Sequence, residues 1–387
     1  MWRYVEMLNP HWFGERDPDL ERWEKSKIRW IPKWLKQISL EPFSLNFVLG
    51  ARRVGKTTGL KLLIRELIER GEKPERIIYV DIDLIPSLEH FQDILFWITS
   101  ENYRYVFLDE VTSLENWWKP VKGFIDAGRF RNSVLVISGS VSIRLKRQAE
   151  LFPGRMGRGN VVNVLPLSFP EYFELSSLPP KTENLVKKFS EYLSTGGFPA
   201  SINEDKNCVR DFISAFESEI LKAGLSVEIA FKILHSLLGK IPSALSYQSI
   251  AGDIGVDHKT VRNYLEVFEN MFLIKVAYWK QGTKVSLRKE KKIFFRDPFI
   301  LRSFSLWTGV EFLKSALYEN VVQEHLYRRF GEIYYYRNGY EIDCIAGDLK
   351  VEVKAGKPHR RYPKRILVLD EEDIPRFLIE LFRHDEV

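Results

Sequence analysis

Leu45-Asn46-Phe47-Val48-Leu49-Gly50-Ala51-Arg52-Arg53-Val54-Gly55-Lys56-Thr57-Thr58 is the stretch on which the fold turns. An apolar run ends in a glycine. The spacing Gly-x-x-x-x-Gly-Lys-Thr follows, and then Leu60, Leu63, Ile64, Leu67 and Ile68 recur at helical spacing until Gly71. The pattern predicts a buried strand, a tight loop and a helix. Gly50 and Gly55 leave out the Cβ atoms that would obstruct such a loop, so successive backbone N–H groups can converge on phosphate oxygens. The helix start adds its partial positive charge. Lys56 then suits the terminal phosphates of a nucleotide, and the Thr57 hydroxyl suits magnesium. Gly50, Ala51, Arg52, Arg53, Val54, Gly55, Lys56, Thr57 and Thr58 are the expected nucleotide-binding residues, with Arg52 and Arg53 facing either nucleotide or solvent.

Working outward, Ile77–Val80, Tyr105–Leu108 and Val134–Ile137 are further apolar runs without strict alternation, and a helix over 91–98 lies between two of them. Such strands indicate an α/β protein with a parallel sheet covered on both faces. Ligands bind such sheets at the carboxyl ends of the strands. One strand ends in Asp109-Glu110 and another in Ser138-Gly139-Ser140. Asp109 is expected to hold magnesium, usually through water, and Glu110 to orient or deprotonate an attacking water. A solvated turn is the alternative. Ser138 or Ser140 is either a sensor of the terminal phosphate or a serine bonded within its own turn. In the basic, glycine-rich stretch 153–159, Arg155 or Arg158 either neutralises transition-state charge, in this subunit or a neighbour, or decorates a plain loop.

At 387 residues the chain has room for two to four domains. A net charge of +6 permits a nucleic-acid partner without arguing for one. Cys208 and Cys344 form no paired motif, which excludes a disulfide framework and points to a reducing compartment, read as the cytoplasm. No apolar run approaches the ~20 residues of a membrane helix, and the first residues lack a signal-peptide core. Residues 1–44 form an arm in which Trp2, Trp12, Trp23, Trp30 and Trp34 are interleaved with Arg and Lys. Pro10, Pro18 and Pro32 break any long amphipathic helix there. The arm is therefore expected to pack on its own domain or a neighbouring subunit rather than on a membrane surface.

Beyond Pro166-Leu167-Ser168-Phe169-Pro170 the pattern is mostly helical to about residue 240. Ser246–Ile254 reads as a short helix, Gly255-Val256 as a turn, and Asp257 as the cap of a helix over 258–270. Strands over 272–279 and 283–295 follow, decorated by Lys280, Lys284, Arg288, Lys289, Lys291 and Lys292. This is a helix-turn-helix with a basic wing. His258, Lys259, Arg262 and Asn263 lie on its outer face, and with Lys284 and Arg288 they suit DNA contacts. A protein–protein module is the alternative. In 340–354, Glu352 and Lys354 share one strand face, Asp343 lies on the paired strand, and Glu319 on the preceding helix can join them. Asp343 and Glu352 can hold a metal ion, and Lys354 can position a water.

The run from the phosphate loop through Leu108-Asp109-Glu110, Ile137-Ser138-Gly139-Ser140, Gly154-Arg155 and Pro166–Tyr172 resembles the archaeal and bacterial AAA+-type ATPases that carry a winged-helix domain and a C-terminal nuclease-like domain. The resemblance covers roughly residues 40–355. It implies a P-loop AAA+ core at 45–172 behind the 1–44 arm, a helical lid at 173–240, a winged helix at 241–300 and a restriction-endonuclease-like domain at 301–387. It also implies that Arg155 acts on nucleotide and that the chain forms homo-oligomers. Glu319, Asp343 and Glu352-x-Lys354 are similar to the metal site of the PD-(D/E)xK nucleases, with Cys344 departing from the usual larger apolar residue. The expected function is hydrolysis of ATP with magnesium, coupled to action on DNA and to possible metal-dependent cleavage, without stable membrane insertion. The alternative is a nucleotide-switched scaffold whose last two domains only bind partners.

Overall fold

Short runs of Val, Ile, Leu and Phe build one parallel sheet in the first part of the chain. In the computed structural model, which describes residues 2–139, 152–356, 363 and 365–383, these runs are β1 (Ser44–Gly50), β2 (Ile77–Asp81), β3 (Tyr105–Asp109), β4 (Val134–Gly139) and β5 (Val161–Val164). Their order is β2-β3-β4-β1-β5, and every neighbouring pair is parallel. β1, β3 and β4 are buried along their whole length, as strands covered on both faces must be. β5 was not among the expected strands. It is four residues long, alternates exposed and buried positions at the sheet edge, and owes its strand geometry to pairing with β1. Helices Lys56–Glu69, Leu88–Ser100 and Trp118–Asp126 belong to the same unit, which spans Met1–Leu165.

The tryptophan-rich arm packs on its own domain. The Asn9 side-chain amide donates to Tyr79 O and accepts from Tyr79 N, at 2.8 and 2.7 Å, so it covers the open edge of β2. Trp12 donates its indole N–H to Ile77 O and stacks on Tyr103. Lys61 is buried between Asp17, at 2.9 Å, and the Leu8 carbonyl. The Trp34 ring lies where a Cβ on Gly59 would stand, at 2.3 Å, so the phosphate-loop helix needs glycine there to accept the arm. Among the described residues no helix is long and apolar enough to cross a membrane.

The second unit, Pro166–Val387, joins helices to a second sheet. Tyr247–Ile254 and His258–Asn270 form the expected helix-turn-helix. Ser246 and Asp257 cap the two helices, and Gly255 takes the left-handed turn between them, at φ 71°. The strands that follow are β6 (Ile274–Gln281), β7 (Lys284–Ser286), β8 (Lys292–Phe295), β9 (Tyr334–Asn338), β10 (Tyr340–Ala346), β11 (Leu349–Val353) and β12 (Leu367–Leu369). They run β12-β11-β10-β9-β6-β7, and β8 pairs with the first half of β6. β6 pairs antiparallel with β7 and β8 and parallel with β9, so the sheet runs across the boundary expected at residue 300.

The segment Pro166–Tyr172 is held by helix Lys314–Phe330. Ser168 and Glu171 form a capping box at the start of helix Phe169–Glu174. Phe169 N–H donates to His325 Nε2 at 2.9 Å, which obliges His325 Nδ1 to carry the proton and donate to Val321 O at 2.7 Å. Burial, then the neighbouring Arg328, lowers the His325 pKa from 6.5 to about 3. Between those values the unfolded chain binds the proton and the folded chain does not. The stabilisation is full above pH 6.5 and is lost as pH falls towards 3, amounting to about 5 kcal/mol at most. His325→Gln keeps an acceptor for Phe169 but cannot titrate. Urea unfolding followed across pH 7 to 4 is expected to show a shallower loss of stability for this variant than for the wild type, and equal slopes would refute the assignment.

Candidate functional site

The phosphate loop takes the form its glycines were expected to allow, for two different reasons. Gly55 sits at φ 96°, a left-handed conformation that side chains resist. Gly50 has ordinary geometry, but a Cβ there would stand 2.4 Å from the Val164 carbonyl of β5. Lys56 opens the helix and is buried, with its ammonium 3.1 Å from both Gly50 O and Ala51 O. Arg52 is half-buried and Arg53, at φ 64°, is exposed.

Asp109 is where the strand ends converge. Its Oδ2 accepts from the Thr57 hydroxyl at 2.7 Å and from the Tyr79 hydroxyl at 2.8 Å, and its Oδ1 accepts from Ser138 Oγ and from Glu110 N at 3.0 Å. Ser138 is fully buried and therefore couples β4 to β3, while Ser140 lies outside the described residues. Tyr79 was not expected here. It arrives because β2 and β3 run in register with Tyr79 opposite Phe107 and Asp81 opposite Asp109. Burial, then the Asp109 charge, raises the Tyr79 hydroxyl well above its usual range, so it remains a proton donor. Burial also lifts Asp81 to about 6, with Asp109 adding to the shift.

Glu110 takes a left-handed backbone, φ 50° and ψ 39°, which costs a non-glycine residue ~1 kcal/mol. Ser138 Oγ lies 3.3 Å from its N–H, and its carbonyl accepts from the Ser113 hydroxyl at 2.7 Å, so the turn is pinned from both sides. That turn aims the carboxylate at Lys56, with Oε1 at 3.6 Å from Nζ and 22% of the side chain exposed. Lys56, Thr57, Asp109, Glu110 and Ser138 thus form one constellation. Its hydroxyl and carboxylate oxygens are the donors a hard divalent cation takes, and its buried ammonium suits phosphate. The residues fit a nucleotide with magnesium, which Thr57 and Asp109 would hold.

Arg155 stands apart from this constellation. Its guanidinium pairs with Asp126 at 2.5 and 3.1 Å and donates to Pro153 O. Arg158 pairs with Glu41.

In the second unit, His258, Lys259, Arg262 and Asn263 are exposed on one helix face, with Arg262 pairing with Glu266 at 2.8 Å. Lys284 and Arg288 are also exposed. The remaining cations of the expected basic wing differ. Lys289 lies 3.5 Å over the Trp279 ring and Lys280 lies 4.3 Å over Tyr334. Lys291 is buried, with its ammonium on Lys289 O and over Tyr247. Lys292 is a correction to the sequence reading. It does not decorate an outer strand but is buried on β8, with its ammonium 2.6 Å from Asp343 Oδ1, 2.7 Å from Glu319 Oε1 and 3.0 Å from Glu341 Oε1. β8 is buried at all four positions, so alternation along it does not reveal a solvent face. Glu352 pairs instead with Lys354 at 2.5 Å. Burial and then Asp343 raise Glu319 well above the usual carboxylate range; burial opposes the Lys292 charge, but the three carboxylates around it raise its pKa further.

Residues 43–173 match the family model described as an AAA domain, and residues 186–311 match a domain of unknown function. An uncharacterized protein of Haemophilus influenzae is 25% identical over 327 residues, covering 79% of this chain and 78% of its own length. The uncharacterized protein MJ1544 of Methanocaldococcus jannaschii is 26% identical over 339 residues, covering 80% of this chain and 73% of its own. Similar solved structures include a Thermotoga maritima RuvB variant, 17% identical, covering 63% of this chain and 85% of that one at a TM-score of 0.33. Another is the Aeropyrum pernix ORC1 protein in complex with DNA, 12% identical, covering 79% and 90% at 0.34. At these scores the structural likeness carries no functional weight. The parallel sheet, the strand–loop–helix cradle and the matched AAA domain identify the core of the first unit as an α/β P-loop NTPase domain of AAA type.

Proposed function

We propose that this chain hydrolyses ATP with magnesium and couples the cycle to DNA. The observation that carries the ATPase reading is Asp109, whose carboxylate joins the Thr57 hydroxyl, the Ser138 hydroxyl and the Glu110 turn at the mouth of the phosphate loop. In this reading Lys56 leaves the Gly50 and Ala51 carbonyls for the β- and γ-phosphates. Magnesium bound by Thr57 and, through water, by Asp109 would offset charge on the phosphate oxygens. Glu110 accepts the proton of the attacking water as the water oxygen bonds to the γ-phosphorus. The bond to the bridging oxygen breaks, and its electron pair leaves with ADP. Tyr79 and Ser138 hold Asp109 in one orientation throughout.

Arg155 serves, in the same proposal, a neighbouring copy's nucleotide. Its pair with Asp126 is largely open to water, 29% and 47% exposed, and water screens such a pair, so exchange for phosphate is inexpensive. Mixing Lys56→Ala subunits with Arg155→Ala subunits is expected to restore turnover that each variant lacks alone. No recovery in the mixture would exclude action between subunits.

The DNA half rests on the exposed His258, Lys259, Arg262 and Asn263 face and on Lys284 and Arg288. Charge reversal of Lys259 and Arg262 is expected to weaken DNA binding about tenfold or more at moderate salt and to remove any stimulation of turnover by DNA. Fluorescence anisotropy on duplex DNA and phosphate release measured in parallel test this. ATP turnover indifferent to DNA, with no DNA binding by the wild type, would favour the scaffold alternative. Magnesium-dependent cleavage at Glu319, Asp343, Glu352 and Lys354 is not part of this function, because the Lys292 ammonium lies between Glu319 and Asp343.

A further inference from the structure

Glu319, Asp343 and Glu341 converge on one point in the second unit, and that point holds an ammonium group. The Lys292 side chain is 3% exposed. A lysine ammonium has three N–H donors and no acceptor. Three carboxyl oxygens surround this one, at 2.6, 2.7 and 3.0 Å, so every donor has an oxygen partner. The carboxylates are engaged elsewhere too. Asp343 Oδ2 accepts the Val353 N–H at 2.9 Å, and Glu319 Oε1 also accepts from Gln323 at 3.0 Å. Glu352 is paired with Lys354.

A divalent cation needs several oxygens at roughly 2.0 to 2.6 Å, with lone pairs facing it. Here the lone pairs of Asp343 already face N–H groups, and a cation entering beside Lys292 would meet a like charge in a water-poor interior. Nor does Lys292 have a route out. Its backbone is fixed opposite Ala277 of β6, and Ile293, Phe294 and Phe295 beside it are buried. Removing the ammonium would strand three carboxylates in the same space. Among the described residues, no group of three or more His, Cys, Asp or Glu side chains is arranged to hold a metal ion. The residues present therefore do not fit a catalytic divalent ion.

We propose that Lys292 stands in for a divalent cation at the Glu319–Asp343–Glu341 cluster, so that this sheet is a metal-independent module that does not cut nucleic acid. Lys292 arrives from β8, before the helix and strands that carry the carboxylates, and this wires the helix-turn-helix segment to the cluster through one ion-paired side chain. The inference is independent of the ATPase reading and fails separately from it.

The test is manganese binding by the nucleotide-free full chain, followed by electron paramagnetic resonance of the free ion. Wild type and Asp343→Asn are expected to titrate identically. Lys292→Met keeps the length of the stem and removes the charge. It is expected to gain a manganese site about tenfold or more tighter than any in the wild type. Adding Asp343→Asn to that variant should remove the new site. The proposal is overturned if Asp343→Asn deletes a manganese site from the wild type. It is also overturned if folded Lys292→Met gains none, or if the wild type nicks DNA with manganese in an Asp343-dependent way. Should Lys292→Met fail to fold by circular dichroism, the comparison of wild type with Asp343→Asn decides alone.

Discussion

Lys56→Ala is expected to lower ATP turnover by ~10³-fold or more, corresponding to about 4 kcal/mol of transition-state stabilisation. The residue is buried at the start of its helix, and in the nucleotide-free chain its ammonium lies on the Gly50 and Ala51 carbonyls. Those carbonyls are neutral, and the Glu110 carboxylate at 3.6 Å is partly exposed, so moving the charge onto phosphate exchanges weak contacts for strong ones. Removing the charge therefore affects nucleotide far more than fold, and the thermal midpoint without nucleotide should change little. The stabilisation by ADP, which for a wild-type chain at about 100 times its dissociation constant is worth ~2.7 kcal/mol, should shrink sharply. Glu110→Gln separates binding from chemistry. It leaves the ADP-induced shift in place and lowers turnover by ~10²-fold or more, because the amide cannot accept the proton of water. Phosphate release and thermal shifts on the same preparations check both variants. Turnover within about threefold of wild type in Lys56→Ala would remove the phosphate loop from the reaction.

The candidate nucleotide site was legible because its residues are local in the chain. Gly50-x-x-x-x-Gly55-Lys56-Thr57 lies in one contiguous loop, and Asp109-Glu110 ends a run too apolar to be anything but a buried strand. The helix-turn-helix was legible for a similar reason: Ser246, Gly255 and Asp257 punctuate it at the positions that caps and turns demand. What was hidden depends on register and on partners distant in the chain. Tyr79 reaches Asp109 only because β2 lies beside β3. β5 is a strand because β1 offers it an edge, and nothing in its four residues declares that. The packing of Trp34 on Gly59 joins residues 25 positions apart, so helical periodicity is silent on it. Lys292 is the instructive failure. Amid Lys284, Arg288, Lys289 and Lys291 it looks like one more solvated cation, and the carboxylates that bury it lie 27 to 51 residues downstream. A sequence period of two can show which residues share a strand face. It cannot show that both faces are covered.

Glu324→Ala is expected to destabilise the second unit by ~3–5 kcal/mol. Glu324 is 2% exposed on helix Lys314–Phe330. Arg296, immediately after β8, donates Nε and NH2 to its two oxygens at 2.9 Å each, and Arg328 donates Nε to Oε1 at 2.8 Å. Burial alone would raise the Glu324 pKa, but the two guanidinium groups hold it below the usual carboxylate range. Arg328 also donates to Pro166 O at 2.8 Å, so the triad ties the first residue of this unit to its central helix. Truncating Glu324 leaves two desolvated cations facing each other in a dry interior, which explains why the loss should exceed that of an ordinary cavity. The same physics predicts that replacing all three charges together, as Arg296→Met, Glu324→Leu and Arg328→Met, costs less than Glu324→Ala alone, because no buried charge is then unpaired. Arg328 would still surrender its bond to Pro166 O in the triple variant, so recovery should be partial. Urea unfolding of the three proteins at neutral pH distinguishes the outcomes. If the triple variant is the less stable of the two, the triad contributes through packing and hydrogen bonds rather than through charge balance.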